Sequence, residues 1–371
     1  MTRLLFVTAR SVETNGDLNR ALGMAPTLAA SGLDVTILVE DLPRNRRDFA
    51  ALGDIDVIFF PNLGVLAERR WKSRFLRRNA FDIVVLCSSM LRNAVDLTIA
   101  PRRFRRPFVI VDQTELRSTT ATSAIDRIRL DLTDRWLTRR SDAVLAVSRA
   151  LVEWNQHRGT WPVLQSPFST ERPPPVDPAS IREFNDRFGA RYLVYVGTIA
   201  TPFRLHDIIN AFAAIAATHP ETNLVIAGNG PARSELSELV DRLGLGDRII
   251  FTGFIGDDQY WSLVRGATAA LSPLANTERD TSRCPSKLFR YAAARTTIVT
   301  TAIGEATRFE HAAYLDDGTV TSLADAMTQA LTGPSKTLRQ QDYEDLFWDQ
   351  RANELMAWLQ QLDVVAQTVA T

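Results

Sequence analysis

The chain alternates short apolar runs with helical stretches, does so twice, and places a cluster of prolines between the two series. Residues 4–8, 35–39, 57–60, 83–86, 108–111 and 144–147 are the first set of runs, rich in Val, Ile and Leu. Continuous apolar runs, as opposed to alternating ones, mark strands buried on both faces, and strands alternating with helices imply a parallel sheet covered on both sides. A second set follows at 193–196, 224–227, 249–251, 269–271 and 298–300. Between them, Pro167, Pro173, Pro174 and Pro175 exclude a helix or a central strand, so residues 169–178 read as a stiff extended linker. The expected organisation is α/β: one Rossmann-like domain over 1–168, a second over 179–341, and helices over 342–371, of which 342–362 reads as one helical stretch. Sheets of this kind bind ligands beyond the carboxyl ends of their strands.

Composition narrows the function. Lys plus Arg number 43 and Asp plus Glu number 43, so no global field favours nucleic acid and any basic region is local. The two cysteines, Cys87 and Cys284, lie too far apart in sequence for a ligand or redox pair, which suits a reducing cytoplasm. Residues 1–9 are too short an apolar run for a signal peptide, and no run of about 18 apolar residues is present to span a bilayer. The expected location is the cytoplasm. The four histidines are scattered, and no acidic trio at strand ends marks a divalent-ion site, so no metal is expected.

The segment most suggestive of chemistry is Cys284-Pro285-Ser286-Lys287-Leu288-Phe289-Arg290-Tyr291. Pro285 suits a first helical position, and Leu288, Tyr291 and Ala292 share one apolar side. A helix starting here presents unpaired amides and about half a positive charge, with Ser286 and Lys287 beside them, an arrangement that binds phosphate. Gly228-Asn229-Gly230 lies between a strand and a helix, as either a ligand approach or a turn. Asn15-Gly16-Asp17 follows the first strand, where Gly16 admits a ligand or makes a turn and Asp17 caps a helix. A Gly-x-Gly-x-x-Gly dinucleotide fingerprint is missing after that strand, which argues against a nicotinamide enzyme.

The segment resembles the donor-binding element of glycosyltransferase family 4. Tyr195-Val196-Gly197, Ala227 to Pro231, Phe251-Thr252-Gly253-Phe254 and Asp345 to Trp348 continue the likeness in order and spacing from about residue 190 onward. The first half resembles the family more loosely, through Thr8 to Asp17, Val111 to Glu115 and Ala143 to Ser148. The resemblance implies the GT-B architecture, with the parallel sheets of two Rossmann-like domains facing a central cleft and the terminal helices of 342–371 crossing back onto the first, acceptor-side domain. It implies a retaining, hexosyltransferase-like, metal-independent glycosyltransferase with no cofactor beyond a nucleotide-diphosphate sugar as donor. The acceptor would be a sugar, a lipid-linked glycan precursor or a small natural product. Without a metal, cations and helix N-termini must neutralise the departing diphosphate.

Lys287 is the leading cation for that role, against the alternative of a solvated first-turn lysine. The family usually shows Val-Gly-Arg and then a Lys after the first strand of this domain. Here Thr198 replaces the Arg, and Arg204 stands near the Lys position, as a phosphate clamp or a surface arginine. The family's two glutamates, seven residues apart, are also changed. Arg290 occupies the ribose-gripping position and cannot accept hydroxyl hydrogen bonds; three residues after Lys287 and on nearly the same side, it either faces the donor's phosphate or the ribose contact is lost. The first glutamate is matched by Glu278 or Asp280, in a stretch that reads as an irregular loop. Gly197, Phe254, Leu288 and the Gly228 to Gly230 turn complete the expected donor site. In the other domain, Asp112 or Glu115, following a strand, is placed to orient an acceptor hydroxyl.

Two basic segments, 68–78 and 102–106, mix arginines with large apolar residues and could rest on anionic lipid at the inner membrane face, although a solvated helix face explains such runs as well. The departures at Thr198, Arg290 and Thr297 also permit a non-catalytic partner subunit. A sugar-nucleotide epimerase on the same architecture is the third reading.

Overall fold

A computed structural model describes residues 1–8, 16–49, 52–53, 55–88, 90–93 and 106–365. The chain divides into two compact units, one of residues 1–169, 282–284 and 347–371, the other of residues 170–281 and 285–346.

The first unit holds a parallel sheet of seven strands in the order β3-β2-β1-β4-β5-β6-β7. These are β1 (Arg3–Val7), β2 (Asp34–Glu40), β3 (Asp56–Phe60), β4 (Ile83–Cys87), β5 (Phe108–Gln113), β6 (Ala143–Ala146) and β7 (Val163–Gln165). Its helices are α1 (Gly16–Ala30), α2 (Pro43–Asp48), α3 (Val65–Arg78), α4 (Ala124–Arg140), α5 (Arg149–Gln156) and α14 (Trp348–Gln361). The strand order reverses between β1 and β4, the point at which such sheets receive ligands.

The second unit holds six parallel strands in the order β10-β9-β8-β11-β12-β13. They are β8 (Arg191–Val196), β9 (Thr222–Ala227), β10 (Ile249–Gly253), β11 (Ala269–Ser272), β12 (Ile298–Thr301) and β13 (Ala313–Asp316). The helices are α6 (Pro178–Phe188), α7 (Leu205–Ala216), α8 (Arg233–Arg242), α9 (Asp257–Gly266), α10 (Glu278–Ser282), α11 (Ser286–Ala293), α12 (Val320–Thr332) and α13 (Gln340–Tyr343). Here the order reverses between β8 and β11.

Every apolar run read from the sequence is a strand; those in the sheet interiors are buried on both faces, while the runs of the edge strands β3 and β10 are largely half-buried. Two strands escape that reading. Strand β7 is three half-buried residues at a sheet edge, and β13 is four residues at the other sheet's edge with Leu315 exposed. Short edge strands carry little of the apolar signal that marks central ones. The helix expected over 342–362 is broken: α13 gives way to a tight turn over Glu344–Leu346, Phe347 is extended, and α14 begins at Trp348. The break falls where the chain passes from one unit to the other.

Within the first unit, α14 packs on α1. Gly23 makes this approach possible, since a Cβ there would overlap the Trp348 indole. The region between the two series carries no helix or strand over 171–177, and Asp177 caps α6 through the amide of Ala179.

The expectation for segment 68–78 is corrected by the packing. Trp71, Phe75 and Leu76 lie against the core cluster of Leu5, Val7, Val84, Leu86, Val109 and Val111, so they are not offered to lipid. Lys72 is fully buried and donates to Glu68 Oε1 at 2.6 Å, the Thr8 carbonyl at 2.8 Å and Asn93 Oδ1 at 2.9 Å. Arg92 closes the cluster on Glu68 Oε2 at 2.7 Å. Residues 102–105 lie outside the described residues, and Arg106 pairs with Asp142.

Burial pulls the Lys72 ammonium down to about 8, against the upward pull of Glu68. The unfolded chain therefore keeps a proton that the folded chain releases between about pH 8 and 10.5, so stability should rise with pH across that window. The gain from this group is on the order of 3 kcal/mol. Urea unfolding at a series of pH values, compared with Lys72→Met, checks it: the rise should be absent from the variant.

Candidate functional site

The site in the second unit is built where its strand order reverses. Strand β8 ends at Val196, and the chain turns at Gly197 with φ of 151°. The β9 turn presses against it: Gly197 donates to the Ala227 carbonyl at 2.9 Å, and Ile199 to the Asn229 carbonyl at 2.9 Å. A Cβ on Gly228, whose φ is 138°, would overlap the Gly197 carbonyl, and one on Gly230 would overlap that of Ile199. Both glycines of this turn are thus required by backbone packing. Gly228 also donates to the Gly253 carbonyl at 2.7 Å, so three strand ends are tied side by side. Asn229 is exposed at the tip, and Phe254, just past β10, is 64% exposed beside it.

Helix α11 enters from the β11 side. Pro285 is its N-cap and Ser286 its first residue, one later than expected, with no side chain capping the end. Tyr291, fully buried, accepts from the Val196 amide at 2.9 Å and pins the helix to the end of β8. Burial pushes its phenol up. Leu288, read as a donor contact, is wholly buried in the core instead, because it falls on the sheet side of α11.

Lys287 extends from the first turn across the mouth of this assembly. Its Nζ sits 3.9 Å from the centroid of the Tyr195 ring and 5.2 Å from that of Phe203. A Cβ on Gly197 would stand 3.0 Å from that nitrogen. A cation, the amides of a helix start and glycine backbone therefore converge at the reversal point, while Ser286 is exposed beside them. Such an arrangement stabilises negative charge on phosphate oxygens.

Arg204 does not join it. Its residue conformation is left-handed, at φ 54°, and its guanidinium is spent inside the fold. Nε meets Asp207 at 2.7 Å, Nη1 meets Asp316 at 2.8 Å and the Leu274 carbonyl at 3.1 Å, and Nη2 meets the Gly318 carbonyl at 2.9 Å. It braces the carboxyl edge of the sheet. Thr198 is exposed, and its carbonyl accepts from the Tyr195 hydroxyl at 2.9 Å.

The two acidic alternatives are now separated. Asp280 is buried and accepts from the Ala275 amide at 2.8 Å, holding the turn after β11. Glu278 is exposed at the start of α10, a short helix where an irregular loop was expected.

Arg290 takes partners that the sequence did not indicate. Its guanidinium carbon lies 3.7 Å from the centroid of Tyr260, and Nη2 bridges Glu171 Oε1 and Asp257 Oδ1, each at 2.8 Å. Glu171 lies within the proline-rich stretch read as a linker, where no apolar periodicity marks a residue for contact.

In the first unit, Gly16 opens α1, Asn15 lies outside the described residues, and nothing is described of the Asp17 side chain. Asp112 is buried and paired with Arg20 at 2.7 Å, while Arg20 also donates to the Ser166 and Pro167 carbonyls. Burial pushes the Asp112 carboxyl up, against the pull of Arg20. It is a brace, and Glu115, half-buried in the loop after β5, is the more accessible of the two acids. Among the described residues no group of three His, Cys, Asp or Glu side chains is placed to hold a metal, and no helix is long and apolar enough to cross a membrane.

Comparison with known proteins places this geometry. The model of the family "Glycosyl transferases group 1" matches residues 190–333. That stretch is a Glycosyl transferases group 1 domain. It contains Gly197, the Gly228 turn and Lys287. A 2-deoxystreptamine glucosyltransferase of Streptomyces kanamyceticus is 24% identical over 169 residues, 42% of this chain and 43% of that protein. An alpha-D-kanosaminyltransferase of the same organism is 34% identical over 85 residues, 22% of each. The alignments thus span less than half the length of these curated relatives. Among solved structures, sucrose-phosphate synthase of Thermosynechococcus elongatus superposes with a TM-score of 0.75 at 17% identity, covering 98% of this chain and 99% of that one. Anabaena HepE in complex with UDP and glucose gives 0.75 at 16%, covering 98% and 100%. The fold is GT-B, with two Rossmann-like parallel sheets of seven and six strands.

Proposed function

We propose that the chain is a glycosyltransferase that takes a sugar from a nucleotide-diphosphate donor, with the diphosphate received by Lys287, Ser286 and the first amides of α11. The observation carrying this is the position of Lys287 Nζ over Tyr195 beside Gly197, at the reversal point of the second sheet. The departing diphosphate gains charge as the anomeric bond breaks, and fixed cations and amides oppose that charge without reorganising. The glycosyltransferase group 1 match and the UDP held by a structural relative support the donor class.

On this reading catalysis is retaining and needs no metal. The leaving phosphate oxygen takes the acceptor's proton on the same face, so no protein nucleophile is required. Two relatives are named for 2-deoxystreptamine and kanosamine and another is a glycogen synthase, so the acceptor on this reading is a sugar, small or polymeric.

The test is a panel of nucleotide-sugars, scored for thermal stabilisation and for hydrolysis, in the presence and absence of chelator. One donor should raise the melting temperature, and its turnover should survive chelation. Product from that donor should keep its anomeric configuration by NMR. Failure of every donor would overturn the assignment in favour of the non-catalytic subunit that Arg290 permits, and conversion of a donor to its epimer without acceptor would favour an epimerase.

A further inference from the structure

The first unit carries a charged cluster at the point where its own strand order reverses. Thr8 follows β1 and Ser88 follows β4, the two strands between which the order turns. Lys72 of α3 reaches this edge wholly buried, with its ammonium on the Thr8 carbonyl, Asn93 Oδ1 and Glu68 Oε1. Arg92, in the short turn Leu91–Asn93 after β4, holds the other oxygen of Glu68 through Nη1 at 2.7 Å. Asn93 fixes that turn by donating to the Cys87 carbonyl at 2.8 Å. Ser88 is held at φ 86°, a left-handed conformation that is uncommon outside glycine and that concentrates where ligands are clamped.

Charge in this cluster does not balance. Two cations share one carboxylate, and among the described residues no second acid pairs with either of them. Both oxygens of Glu68 are taken, one by each cation. A buried ammonium beside a second cation is unfavourable unless a further anion completes the set. Arg92 has the place for one. Among the described residues its Nε and Nη2 meet no acceptor, and 15% of its side chain remains in solvent. Those two nitrogens are the parallel donors with which a guanidinium grips a carboxylate or phosphate. Open α/β sheets receive ligands at this same position.

We propose that the Nε–Nη2 edge of Arg92 binds an oxyanion carried by the acceptor, which is therefore a phosphorylated or carboxylated sugar. Assigning the ion to the acceptor rests on the glycosyltransferase reading above; the ion site does not. Glu68 and Lys72 are positioning residues: the carboxylate orients the guanidinium, and the ammonium offsets the carboxylate, so that Arg92 faces its ligand with its charge uncancelled.

Calorimetric titration of inorganic sulfate into the Lys287→Ala chain tests this, because that variant lacks the cation of the donor site and sulfate does not titrate near neutrality. Sulfate should bind. Arg92→Gln should weaken it about tenfold or more, and Arg92→Lys, which keeps the charge and loses the paired donors, by about three- to fivefold. Melting curves accompany both, and the lysine variant carries the test where the glutamine variant fails to fold. The titratable groups facing Lys72 are Glu68, Arg92 and Cys87, and burial holds its ammonium at about 8. A bound dianion favours the charged ammonium, so titration near that pH in buffers of different ionisation enthalpy should show uptake of part of a proton, absent from Lys72→Met. An arginine that only braces Glu68 would give no such uptake. Glucose 6-phosphate or glucuronate should displace the sulfate, the first marking a phosphorylated acceptor and the second a carboxylated one, and glucose should not. The absence of sulfate binding, binding unchanged in both Arg92 variants, or no displacement by either acid would overturn the proposal. Sulfate bound through Arg92 in a chain that responds to no nucleotide-sugar would overturn the glycosyltransferase reading, and with it the assignment to an acceptor, while upholding the ion site.

Discussion

Lys287→Ala should lower kcat/KM for the responding nucleotide-sugar by about 100- to 1,000-fold, the usual cost of removing one preorganised charge from a developing anion. Its effect on stability should be small. The ammonium's contact with the Tyr195 ring is a half-buried cation–π pair, worth about 0.5–1 kcal/mol. Loss of activity with little loss of stability separates a ligand-facing cation from a structural one. Lys287→Arg should recover part of the rate, because charge is restored while the tight space beside Gly197 misplaces the larger guanidinium. Steady-state kinetics with paired melting curves measure both. Unchanged kinetics for the alanine variant would place the diphosphate elsewhere.

Arg204→Ala should act in the opposite way, through stability. Its partner Asp316 is wholly buried, and removing the guanidinium leaves that carboxylate without its charge partner among the ends of β11, β12 and β13. Truncating one member of a buried pair costs about 3–5 kcal/mol. The pair itself need not be worth that much. Replacing both, as Arg204→Met with Asp316→Leu, should restore most of the loss, because an apolar pair removes the stranded charge. Urea midpoints of the two variants decide the matter, and an Arg204→Ala variant as stable as wild type would refute the bracing role.

The contrast between these two cations shows where sequence reading stops. Lys287 follows Pro285 and Ser286 at a helix start, and a helix start has its own electrostatics wherever it is placed, so its placement in a first turn was legible locally. Arg204 stood at an equally plausible position. Its partners Asp316 and Gly318 are more than a hundred residues away, and only the parallel stacking of β8, β11, β12 and β13 brings them within hydrogen-bond range. Segment 68–78 repeats the lesson. Its arginines and aromatics read as one mixed surface, yet the helical turn sorts them, sending Trp71, Phe75 and Lys72 inward and most of the arginines outward. The exposed aliphatic stripe of α4, Ile125, Ile128 and Leu132, is hidden in the sequence for the converse reason: Ile and Leu at helical spacing look like a core face until burial shows which side the sheet is on.

What the sequence determined by itself is whatever depends on neighbours along the chain. That covers the double alternation of strand and helix, the proline-rich break, the glycine turn after β9 and the amide-rich start of α11. Apolar periodicity and backbone stereochemistry act over a few residues and leave their mark in composition. The tertiary structure alone decided which charges are spent inside the fold and which remain at its edge. It paired Arg204 with Asp316, Arg20 with Asp112, and Arg290 with Glu171 and Asp257. Such pairings depend on distances through space, and separation along the chain does not encode them.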